Sequence, residues 1–92
     1  MKILDKIKDF LHIEHHPAFT TRIVETESDE YLVQIWDTEP LGLIHHWQSR
    51  AYRFDYKEIR SKSLPYVQEE MKKLDERIQK YLMQNKIKRV VE

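Results

Sequence analysis

The chain has 92 residues, 16 basic and 16 acidic, with 40% hydrophobic residues, no cysteine and a single glycine. This length holds one domain with a modest core, and the absence of low-complexity tracts argues for a folded chain. A chain without cysteine has neither a disulfide scaffold nor a thiolate nucleophile, and one glycine does not make a phosphate-cradling loop. No apolar leader or membrane-length run is evident, which predicts a cytoplasmic protein. Scarce Gly and Ala beside abundant Lys, Ile and Glu are compatible with an AT-rich bacterial or phage genome.

Residues 2–12 predict a short amphipathic helix, since Ile3, Leu4, Ile7, Phe10 and Leu11 recur at spacings of three and four. The segments "FTTRIVETE" and "EYLVQIWDT" are dense in β-branched and aromatic residues and predict a hairpin turning at Ser28 and Asp29. Without glycine in the turn, a two-residue loop is disfavoured and a three-residue loop fits, so the register stays open. Glu39, Pro40, Leu41 and Gly42 match a type I turn leading to a third strand from Leu43. Tyr52, Phe54 and Tyr56 alternate with Arg53, Asp55 and Lys57, which extends strand structure across this segment, bent or in two pieces.

Ser63 caps a long helix with Pro65 in its first turn, and Leu64, Val67, Met71, Leu74, Ile78 and Tyr81 form its apolar stripe. Glu69 with Lys73 and Glu76 with Lys80 form favourable four-apart pairs, Asn85 ends the helix in a left-handed conformation, and Ile87 to Val91 return as a fourth strand. The fold class is therefore α+β, one domain over residues 1–92: short helix, antiparallel three-stranded sheet with a further C-terminal strand, and one long helix packed on the sheet.

The histidines cluster as "HIEHH" over residues 12–16 and as His45 with His46. His12 and His16 have the spacing of a helical zinc pair, but Pro17 turns His16 away from helix geometry, and adjacent His45 and His46 point to opposite faces of a strand. We therefore expect no metal and no cofactor, with a histidine-based metal site as an alternative and shared titration between about pH 5 and 7 as a further one. None of the four serines lies in a nucleophile-elbow context, and a pairing such as His45 with Asp37 is common in small proteins, so no enzyme is expected.

Charge is unevenly spread. Residues 19–40 carry six acids against Arg22 alone, a local balance of −5, while residues 41–62 carry +3. The expected function is a small non-catalytic binding or regulatory protein whose acidic hairpin, through Glu25, Glu27, Asp29 and Glu30, contacts a protein partner, with Trp36 and Trp47 as anchor candidates. An alternative is a single-stranded nucleic-acid module using the basic aromatic run 45–60, in which rings stack on bases and arginines meet phosphate. The seam of the long helix also offers a surface for a homodimer.

Overall fold

A computed structural model describes residues 15–40, 42–86 and 88–91. The helix predicted over 2–12 lies outside the described residues, as does His12. Within them the chain forms β1 (Thr21–Glu25), β2 (Tyr31–Asp37), β3 (His46–Gln48), a single 3-10 turn (Tyr52–Phe54), β4 (Arg60–Ser61) and α1 (Leu64–Gln84). This is an antiparallel sheet with one long helix packed on it.

β2 is the central strand. β1 pairs along one side in the register Thr21↔Ile35 to Glu25↔Tyr31. β3 and β4 share the other side end to end, with Trp36↔Trp47 and Leu32↔Arg60 in register. The hairpin loop is the three-residue kind: Asp29 N–H donates to the Thr26 carbonyl at 3.0 Å, and Asp29 takes a φ of 62°. Aspartate tolerates that left-handed conformation better than most residues, which is how the turn closes without glycine. At the other end of the hairpin, Phe19 N–H and Thr20 C=O both bond Trp36, so two residues face one and a bulge ends the ladder.

Alternation sends Ile23, Val33 and Ile35 to one face, where they meet Val67, Leu74 and Ile78 of α1. Phe54 completes this core, with its ring edge-on to Phe19 and Tyr81 at centroid distances of 5.2 and 5.3 Å. The predicted helix start holds: Ser63 Oγ accepts from Tyr66 N–H at 3.4 Å, and Pro65 lies in the first turn. The predicted stripe is the packed face, with Val67, Leu74 and Ile78 buried and Met71 and Tyr81 packed against them.

Four expectations are corrected. Residues 52–57 are not a strand: Ala51 N–H bonds the Tyr56 carbonyl and Tyr56 N–H bonds Ala51, so the chain folds back on itself. The reason is tertiary, since Arg77 of α1 donates to the Phe54 carbonyl at 3.0 Å and stacks on Tyr56. The turn after β2 is closed by Gly42 N–H on the Thr38 carbonyl, one residue wider than a type I turn. Asn85 has φ −98° rather than a left-handed value, because its side-chain amide donates to the Tyr81 carbonyl at 2.8 Å. The fourth strand is β4, and residues 88–91 adopt no strand. Among the described residues no helix is long and apolar enough to cross a membrane.

Candidate functional site

The six residues singled out by sequence fall into two groups. Glu25, Glu27, Asp29 and Glu30 surround the hairpin tip, while Trp36 and Trp47 form a cross-strand pair five residues farther along β2, about 17 Å away at the strand rise.

The tip is tied together by its own side chains. Thr26 N–H donates to the Glu30 carbonyl at 2.8 Å, and the hydroxyls of Thr26 and Ser28 share a hydrogen bond of 2.9 Å. Ser28 donates in turn to Glu30 at 3.2 Å. Glu30 also lies 3.9 Å from Arg60, which is bound more closely by Glu58 at 2.8 Å. Glu25, Glu27 and Asp29 are exposed, and none of them pairs with a cation among the described residues. Among the described residues some other acids are matched: Glu39 and Asp37 meet Arg53, and Glu70 meets Lys73 at 3.2 Å, while the exposed Asp55, Glu69 and Glu76 meet no cation either. The last pair replaces the predicted Glu69–Lys73, because Glu70 is the acid held in place by the Tyr56 hydroxyl, which donates to it at 3.3 Å.

The tryptophans sit on the sheet face away from α1. Trp36 is 6% exposed, with its ring 5.1 Å from Trp47, 4.9 Å from His16 and stacked at 6.2 Å with His45. His16 is also 4.9 Å from Trp47, whose ring carries the Arg22 guanidinium 3.9 Å from its centroid. Arg22 Nε donates to Gln34 at 2.8 Å on the way across β2. Of the histidines considered as metal ligands, His16 and His45 meet aromatic rings and His46 Nδ1 lies 3.2 Å from the Ile44 carbonyl; among the described residues no group of three or more His, Asp or Glu is placed to hold a metal ion. Sequence spacing could not reveal this cluster, since it joins residues 16, 22, 36, 45 and 47 through strand pairing.

The nucleic-acid alternative needed its aromatics on one surface. They are dispersed instead: Phe54 is core, Tyr56 packs against the core, Trp47 lies between Arg22 and His16, and Tyr52 is exposed under Arg50 at 4.8 Å.

A second polar centre supports the loops. Asp37, 3% exposed, receives Arg53 Nε at 3.2 Å and Arg53 Nη2 at 3.3 Å, plus Thr38 N–H at 2.6 Å. Hydrogen bonding to Asp37 is the main cause that raises the Arg53 pKa above its ordinary value. Arg53 also reaches Glu39 at 3.3 Å and so fixes the turn after β2. No known protein family, no curated protein and no solved structure matches the chain.

Proposed function

We propose that the protein is a non-catalytic binding or regulatory module of the cytoplasm whose acidic hairpin tip docks on a basic surface of a protein partner. The observation that carries this reading is the clustering of acids without a cation at the hairpin tip. Among the described residues Glu25, Glu27 and Asp29 meet no cation and gather at the end of β1 and on a loop locked by Thr26, Ser28 and Glu30, whereas the other exposed acids without a cation, Asp55, Glu69 and Glu76, are spread along the chain and form no such cluster. A fixed loop loses little conformational entropy on binding, so its carboxylates are presented at low cost. Clustered charge of one sign accelerates encounter with an opposite surface and makes that rate fall with salt. Trp47, half-buried at the far end of the sheet, extends the contact where the partner is broad, and Trp36 supports it from within.

The test begins with a pull-down from native lysate and mass spectrometry, comparing wild type with a Glu25→Lys, Glu27→Lys, Asp29→Lys variant. The proposal expects a specific protein with a basic face, retained by wild type and lost from the variant. Equal retention by both would reject the hairpin assignment. Bait-bound material released by nuclease would instead favour nucleic-acid binding.

A further inference from the structure

The ladder between β1 and β2 fixes which backbone groups of β1 are used. Trp36 N–H bonds the Thr20 carbonyl, and Thr26 N–H bonds the Glu30 carbonyl, so the even-numbered residues of β1 face β2. The N–H and C=O groups of Thr21, Ile23 and Glu25 therefore point away from the sheet, and no hydrogen bond occupies them among the described residues. Among the described residues β1 is also the longest open edge, because β3 and β4 span only His46–Gln48 and Arg60–Ser61. Edges are commonly guarded by proline, by a bulge or by charge aimed outward. Residues 21–25 contain no proline, and the bulge at Phe19 and Thr20 lies before them. The natural guard, Arg22, is turned inward across β2 onto Gln34 and Trp47.

We propose that β1 is a homodimer interface: two copies pair antiparallel through this edge, with Ile23 opposite Ile23 of the second copy. That register is self-complementary. It sets Thr21 and Glu25 opposite each other twice, and since all three residues expose both backbone groups, about six interchain bonds form. The helices fit as well. α1 packs over β2 with β1 and β4 to either side, and the two β2 strands would lie three strand spacings, about 14 Å, apart. Helices in contact need only 8–10 Å or so, so the two α1 helices lie side by side on the same face without collision. On the other face the two Arg22 side chains reach away from the seam, so their charges do not oppose pairing.

One feature resists pairing. Each Glu25 would stand opposite Thr21 of the second copy, whose hydroxyl donates to Asp75 at 2.9 Å. Two acids per contact then approach, so salt strengthens this dimer, opposite to its effect on docking of the acidic tip.

Sedimentation equilibrium over a concentration series tests the proposal with three proteins, each checked for native melting. Wild type should dimerise, more tightly at high salt. Glu25→Pro deletes an outward N–H without touching the ladder to β2, and should weaken dimerisation by about thirtyfold, equivalent to about 2 kcal/mol. Glu25→Gln keeps that N–H and relieves repulsion, so it should dimerise as tightly as wild type or up to about tenfold more tightly. Should Glu25→Pro not fold, hydrogen exchange of wild type decides: the Ile23 amide should slow as concentration rises. A wild type that stays monomeric overturns the proposal. So does a dimer that Glu25→Pro leaves intact, or one in which the Ile23 amide exchanges at the same rate at every concentration.

Discussion

Gln48 is 7% exposed, and among the described residues neither atom of its side-chain amide has a hydrogen-bond partner. Cross-strand from Ile35, it shares the core face of the sheet. An orphaned buried amide costs about 1–3 kcal/mol, and methionine has nearly its shape without the polar atoms. Gln48→Met should therefore raise stability by about 1–2 kcal/mol in a denaturant melt, and a loss of that size would show that the amide is satisfied in solution. Asp37 is the opposite case, a buried carboxylate gripped at two points by Arg53, whose own side chain is 31% exposed. Removing one partner of a fully buried pair costs about 3–5 kcal/mol, and partial exposure of Arg53 lowers that for this pair. Arg53→Met should cost about 2–3 kcal/mol by thermal melt and loosen the turn from Thr38 to Gly42.

At the scale of elements, the hairpin and α1 divide the work. Leu74, 2% exposed between sheet and helix, should cost about 2–5 kcal/mol on truncation to alanine. The Lys variant at Glu25, Glu27 and Asp29 should melt like wild type, because those side chains are exposed and, among the described residues, hold no ion pair. The elements whose evidence is local were legible in sequence. α1 has a cap, a proline and a stripe, and the hairpin has β-branched runs around polar turn residues; both elements are present, though α1 differs from its reading in its Asn85 end and in its charge pairs. The third strand was legible, though it runs only over His46–Gln48 rather than from Leu43; the segment from Arg50 to Ile59 was not, because its conformation depends on contacts remote in sequence: Arg77 on Phe54, and Asp37 on Arg53. Alternation at Tyr52, Phe54 and Tyr56 imitates a strand, while Phe54 reaches the core from a 3-10 turn instead. The tip acids were legible as composition, but their separation from the tryptophans required the register.

For the molecule as a whole, the contact between α1 and the loop before β4 adds to the loss of stability at alkaline pH. The Tyr56 phenol is raised above its ordinary value of 10.0, first by burial and then by the charge of Glu70. A raised value means that the fold favours the neutral phenol. This contribution is complete below the ordinary tyrosine range and is lost as pH climbs through the folded value. Lys73, raised by its hydrogen bond to Glu70, shifts in the same direction. Wild type should therefore lose more stability between about pH 9 and 11 than Tyr56→Phe does, measured by melts at both ends; parallel losses would contradict the assignment.

The central claim is that the hairpin tip steers a basic protein partner, and it is tested most directly by the association rate constant. With the captured partner immobilised, wild type and the variant carrying Lys at positions 25, 27 and 29 are compared at low and physiological salt. The account predicts that the variant associates at least about tenfold more slowly at low salt, that the gap narrows as salt rises, and that dissociation changes far less. An unchanged association rate in a variant that melts like wild type would contradict it.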